Sequence, residues 1–297
     1  MHFQLSEEVA EALESHRPVV ALESTVIAHG LPHPQNIETA RRMEEIVRNG
    51  GGIPATIAVF DGEFHVGLTD QQIEFLATDK SVRKISRRDI AIAAAKKLNC
   101  ATTVATTAFA AHEVGIRVFA TGGIGGVHRG FSADVSADLV ELARTPITVV
   151  CSGPKIVLDL PATREWLETF GVTVLGWRCD EMPAFYSRSS GLAVDERVEN
   201  SGEVADIGNA RDEIGLSNAV LVTVPVPDDH AIDSVELEDI LDRAIASASE
   251  QMVAGKDLTP FLLAELSRQT GGRTLNTNIA LLENNAHIAT EIARAIS

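Results

Sequence analysis

Four short segments carry side chains that a packed core would not select. In ALESTVIAHG (21–30), Glu23 closes an apolar run and is followed by Ser24 and Thr25. A carboxylate at that place is either a loop or cap residue or a general acid/base, since partial burial raises a carboxyl pKa. In RKISRRD (83–89), Arg83, Lys84, Arg87 and Arg88 make a local positive spot, with Lys84 expected at a strand end. Such a run is either a solvated face or, with Ser86 placed to cap the next helix, a seat for an anion such as a phosphate. TGGIGGVHRGFSADVSADL (121–139) contains Gly122, Gly123, Gly125, Gly126 and Gly130, which let backbone approach a ligand closely or simply form a turn. Taken alone, His128 in this segment is an ordinary packed or solvated histidine. Asp134 and Asp138 either stabilise a helix N-terminus or, beside a bound anion, call for a hard cation between them with oxygen ligands and waters. In VVCSGPKIVLDL (149–160), Lys155 stands in a Gly–Pro turn just after an apolar strand. It either snorkels to solvent or serves as a Schiff-base nucleophile.

Taken together, these four segments suit a sugar-phosphate site: a strand-end acid, a cationic spot, a glycine-rich loop with a carboxylate that could hold a metal, and a half-buried amine. Neither common nucleotide motif occurs. His128 stands where GxGxxG needs its third glycine, and no GxxxxGK[ST] stretch exists.

The elements that must position these residues alternate along the chain. Strand-length apolar runs are predicted at 18–22, 55–60, 101–107, 117–121, 147–152, 172–177 and 218–224. An Asp61–Gly62 turn joins 55–60 to EFHVGL as a hairpin. Helices are predicted at 35–49, stopped by Gly50–Gly52, at 87–98, and at 136–144 with Ser136 as cap. From Val235 onward the chain reads as almost wholly helical. This alternation predicts an α/β protein: three α/β/α layers around a largely parallel sheet, in a single domain over 1–297. Ligands of such sheets bind beyond the carboxyl ends of the strands, where Glu23 and Lys155 are expected.

Composition excludes several classes of function. With 25 Lys+Arg against 42 Asp+Glu the net charge is −17, which opposes binding to nucleic-acid backbone. Aromatics are only 4%, which leaves few platforms for stacking bases. The three cysteines form no CxxC pair, so a zinc knuckle or disulfide framework is not expected. No secretory signal and no membrane-spanning stretch are read, so a cytoplasmic protein is expected.

The segments VVALESTVIAHGLP, PATIAVF, KISRRD, ATTVATT, FATGGIGGVHRG, DVSADL, VVCSGPK, TPFLL and NTNIALLENNA, in this order over roughly 17–296, resemble the pseudouridine-5'-phosphate glycosidase family, which indigoidine-synthesis proteins share. The resemblance implies an α/β/α fold and reversible cleavage of pseudouridine 5'-phosphate to uracil and ribose 5-phosphate. It also implies a divalent metal, usually manganese, and a homotrimer. A separate pseudouridine kinase would supply the substrate. Glu23 matches the family's proton donor and Lys155 its covalent lysine. Lys84, Val104, Ser136, Ala137 and Asp138 match substrate-contact positions, with Thr121, His128 and Asn278 at lesser ones. Asp134 matches the metal ligand. Pro154 stands where the family commonly has alanine, and the stretch between Arg129 and Asp134 is shorter than the family pattern. Two rival readings share the phosphate site. One is a Schiff-base lyase or aldolase on another sugar phosphate. The other is a non-catalytic sugar-phosphate binding module, which needs neither Glu23 nor Lys155.

Overall fold

The computed structural model describes residues 2–129, 134–253 and 258–297. The chain begins with β1 (Phe3–Leu5), α1 (Glu7–Glu14), β2 (Val19–Leu22), α2 (Gln35–Asn49), β3 (Ile53–Phe60), β4 (Glu63–Val66), α3 (Asp70–Thr78) and β5 (Arg83–Ile85). It continues through α4 (Ile90–Ala95), β6 (Cys100–Thr102), α5 (Val104–Glu113), β7 (Val118–Ala120), β8 (Val127–His128), α6 (Ala137–Leu142), β9 (Thr148–Cys151) and β10 (Leu158–Asp159). It closes with α7 (Leu160–Thr169), β11 (Thr173–Trp177), β12 (Glu196–Val198), α8 (Ser201–Ile214), β13 (Val220–Thr223), α9 (Ser234–Glu250), α10 (Leu258–Gln269) and α11 (Arg273–Ile296).

Seven strands run parallel in the order β3-β2-β7-β9-β13-β11-β12. Except in the edge strand β12, their residues form nearly continuous apolar runs because both faces are covered. In β2, Val20 and Leu22 pack into one layer while Val19 and Ala21 pack into the other. The first layer is α2, α8 and α11 with α9 and α10; the second is α1, α5, α6 and α7. The expected three-layer α/β/α fold with a largely parallel sheet is what forms. At β3 the sheet changes sense. β4 and β6 pair with it antiparallel, β5 runs parallel to β6, and β1 joins β4. The expected hairpin turn holds Asp61 at φ 49° and Gly62 at φ 82°, the double positive-φ geometry that suits a twisted hairpin.

Three expectations need correcting. The stretch 101–107 is not one strand, because β6 ends at Thr102 and α5 begins at Val104. Thr103 caps that helix, and the hydroxyls of Thr106 and Thr107 find buried partners in the Ile85 carbonyl and Thr102 Oγ1. Those bonds override the strand preference of a β-branched run. Lys84 lies in the middle of β5 rather than at its end. The helix expected over 87–98 starts as a 3₁₀ turn at Arg87–Asp89 and continues only through α4. Helices α1, α3, α7 and α8 were not anticipated. Among the described residues no helix is long and apolar enough to cross a membrane.

Candidate active site

Parallel pairing aligns the carboxyl ends of β2, β7 and β9, with Leu22 opposite Ala120 and Ala120 opposite Val150. Glu23, Thr121 and the turn Ser152–Lys155 therefore emerge side by side. Glu23 is 8% exposed, and the Thr121 hydroxyl donates to its Oε1. Burial lifts the Glu23 carboxyl above its ordinary value near 4.5; Lys155, the Thr121 bond and Lys84 oppose that rise, and Asp138 adds to it. A carboxyl shifted in this direction is better suited to donate a proton than an exposed one.

The β7 and β9 pairing continues past the sheet. Thr121 N donates to Val150 O at 3.0 Å, Ser152 N to Gly122 O at 2.9 Å, Ile124 N to Gly153 O at 3.1 Å and Lys155 N to Ile124 O at 3.1 Å. The two loops are thus zipped as far as Lys155. Gly153 takes φ 81°, which only glycine adopts freely, and turns the chain toward Lys155.

The glycine-rich loop is tied down by Asp138. Its Oδ1 accepts from Ala105 N at 2.9 Å and its Oδ2 from Gly125 N at 2.8 Å, linking the loop to the start of α5. A side chain at position 125 would come within 2.3 Å of Ser136 Oγ, so this approach needs glycine. Ser136 caps α6 by accepting from Asp138 N at 3.2 Å, as expected for that helix start. His128 N donates to the Asp134 carbonyl at 2.9 Å. The remainder of the loop, 130–133, lies outside the described residues, and with it the shortened stretch before Asp134.

These elements wall a cleft of about 600 Å³ lined by Glu23, Lys84, Val104, His128, Asp134, Ser136, Ala137, Asp138 and Lys155. A narrower lobe of about 60 Å³ shares Glu23, Lys84 and Lys155 and adds Asn278, Phe185 and Leu282. Of the site residues that the family resemblance assigns, Thr121 alone lines neither space; it is fully buried and reaches the site through Glu23. The fold adds Arg144 and Glu141, which the sequence does not mark, and gives Arg87 of the charge run a specific partner. Glu141 is fully buried; it accepts from Arg87 at 2.7 Å, from Arg144 at 2.8 Å and from the Thr145 hydroxyl at 2.7 Å. Arg87 also lies over the Phe109 ring at 4.0 Å. Both guanidiniums line the cleft, held by one carboxylate. The i,i+3 spacing of Glu141 and Arg144 was the available signal, but it reads as a surface pair.

No group of three His, Cys, Asp or Glu side chains suited to a metal occurs among the described residues. Both Asp138 oxygens already accept backbone N–H bonds. Of the other two carboxylates that line the cleft among the described residues, Glu23 is bonded to Thr121, which leaves Asp134. One carboxylate completed by waters and phosphate oxygens fits a hard divalent cation.

A parallel α/β sheet that carries a buried acid after β2 and an amine after β9, with β7 between them, defines a protein built for proton transfer and nucleophilic chemistry. The model of the indigoidine synthase A-like proteins matches residues 8–295. A pseudouridine-5'-phosphate glycosidase of Caldanaerobacter subterraneus subsp. tengcongensis is 52% identical, over 97% of this chain and 95% of its own. One from Staphylococcus aureus is 47% identical over 100% and 97%. Among solved structures, an indigoidine synthase A-like protein of Thermotoga maritima superposes with a TM-score of 0.91 at 40% identity, covering 99% of this chain and 96% of that one. The prealnumycin C-glycosynthase solved with ribulose 5-phosphate gives 0.92 at 38% identity, covering 100% and 97%. The chain belongs to the indigoidine synthase A-like family.

Proposed function

We propose that the protein cleaves the carbon–carbon glycosidic bond of pseudouridine 5'-phosphate, reversibly, to uracil and ribose 5-phosphate. The observation that carries this reading is the meeting of a buried Glu23, its carboxyl pKa raised by that burial, with Lys155 in one cleft that also presents Lys84, Arg87, Arg144 and Ser136. The cationic side takes the phosphate, whose remote binding energy positions C1'. The narrow lobe with Phe185, Leu282 and Asn278 takes the flat base.

Glu23 protonates the ring oxygen as the Lys155 amine bonds to C1', so the C1'–O bond breaks and the ribose opens. The new ammonium returns a proton to Glu23. Glu23 then protonates uracil C5, the C1'–C5 pair leaves with the base, and the lysine nitrogen lone pair forms the C=N bond at C1'. Water hydrolyses this imine to ribose 5-phosphate and free Lys155. A leaving carbon explains the need for an amine, where ordinary glycoside hydrolysis uses two carboxylates. Asp134 would hold a divalent metal, manganese in this reading, which when bound would offset negative charge beside the phosphate. The homotrimer and the separate kinase that makes the phosphorylated substrate belong to the same proposal, as the sequence resemblance implies. The test is incubation with pseudouridine 5'-phosphate and manganese, following uracil by chromatography. Release of uracil supports the reading, and its absence with folded protein refutes it.

A further inference from the structure

Helix α11 is apolar where it crosses the sheet, with Leu281, Leu282, Ala286, Ile288 and Ala289 buried, yet it places an amide, Asn285, fully buried among them. A buried amide is costly unless bonded, so its partners matter. Asn285 Nδ2 donates to the Thr121 carbonyl at 2.9 Å, with Gly122 O at 3.4 Å and Ser152 Oγ at 3.1 Å also within reach. The Ser152 hydroxyl lies 3.3 Å from Asn285 Oδ1 in return. One side chain therefore grips the first residues after β7 and the first residue after β9. Those are the points from which the zipped loops run to Lys155, and Thr121 is the residue bonded to Glu23.

We infer that Asn285 is a positioning residue that locks the ends of β7 and β9 together and so sets the placement of Glu23 against Lys155. The inference rests on the reaction proposed above. Asn285 does not line the cleft, and the residues on the phosphate side, Lys84, Arg87, Ser136 and Arg144, come from β5, the 3₁₀ turn after it, and the ends of α6. Loss of the brace should disturb the chemical step and leave anchoring of the phosphate intact. A misplacement of about 1 Å between reacting groups costs on the order of 100-fold in rate.

The experiment compares wild type, Asn285→Ala, Ser152→Ala and the double variant, each checked for folding by circular dichroism. It measures kcat and KM for pseudouridine 5'-phosphate, and the rate at which borohydride fixes ribose 5-phosphate on Lys155. Asn285→Ala should lower kcat and the trapping rate by about 100-fold, with KM within threefold. Ser152→Ala, which removes only one hydroxyl and remains informative if Asn285→Ala does not fold, should lower kcat about threefold to tenfold with KM unchanged. In the double variant the two losses should fall short of multiplying, as expected for side chains bonded to each other. Wild-type kcat in folded Asn285→Ala, or in Ser152→Ala should the first variant not fold, overturns the inference, as does a raised KM with kcat unchanged. Wild-type protein that neither releases uracil nor traps ribose 5-phosphate overturns the reaction itself, and the inference with it.

Discussion

Glu23→Gln separates the proton on residue 23 from its shape. Glutamine keeps the volume of the side chain and an acceptor for the Thr121 hydroxyl, but it has no proton to give. General acid catalysis contributes about 10²- to 10⁴-fold, roughly 2.7–5.4 kcal/mol of barrier, so kcat should fall by that much. KM should change little, because the cations proposed to hold the phosphate stand on other elements. Stability gives an independent check. The folded pKa of Glu23 is raised by burial above 4.5. Below pH 4.5 both folded and unfolded states are protonated, and the group contributes no pH dependence. Between 4.5 and the folded value the unfolded chain has lost its proton while the native state keeps it, so wild-type stability declines as pH rises. Above the folded value the loss is complete. Glutamine imitates the neutral acid and escapes this loss. The Tm of Glu23→Gln minus that of wild type should therefore increase from pH 4 to pH 8 in parallel melts. Turnover near the wild-type rate, or a Tm difference that shrinks as pH rises, would refute the assignment of a buried proton donor.

Lys155→Ala should fold and lose nearly all turnover, and Lys155→Arg should fail too, because a guanidinium stays protonated and cannot attack C1'. Intact-mass spectrometry with ribose 5-phosphate and borohydride, followed by peptide mapping, checks this; an adduct on a different lysine counts against the mechanism. Lys84→Ala should lower kcat/KM for the 5'-phosphate by about 1.5–3 kcal/mol, tenfold or more, with a smaller effect on the free nucleoside. Equal rates on pseudouridine and its phosphate in wild type would contradict a phosphate site. Removal of divalent metal with EDTA should abolish uracil release and manganese should restore it; full activity in protein shown metal-free by elemental analysis would remove the role given to Asp134.

Much of the site was legible in the sequence for a local reason. An apolar run of strand length that ends in a charged residue marks the carboxyl end of a buried strand; Glu23 stands in that position, and Lys155 follows its strand across a short Gly–Pro turn. The serine cap at 136 likewise follows from chain geometry within a few residues, whereas the need for glycine at 125 comes from its approach to Ser136 in the folded loop. The Thr-rich stretch 101–107 was misread because β-branched composition favours a strand, whereas the bonds of Thr106 and Thr107 to Ile85 O and Thr102 Oγ1 are made only in the folded sheet.

By itself the sequence determined the alternation of elements, the parallel sheet and the residue types at the strand ends, because apolar periodicity and turn chemistry are written in neighbouring positions. Only the tertiary structure decided which strand ends meet. Glu23 and Thr121 are 98 residues apart, and Ser152 and Asn285 are 133 apart. Such contacts depend on strand order and on which helix covers which face, and no local pattern encodes either. The same cause makes Glu141 a buried clamp on Arg87, 54 residues away, rather than the surface partner of Arg144 that its spacing suggested. A charge reads as solvated until the fold closes over it, and burial is a property of the assembled layers.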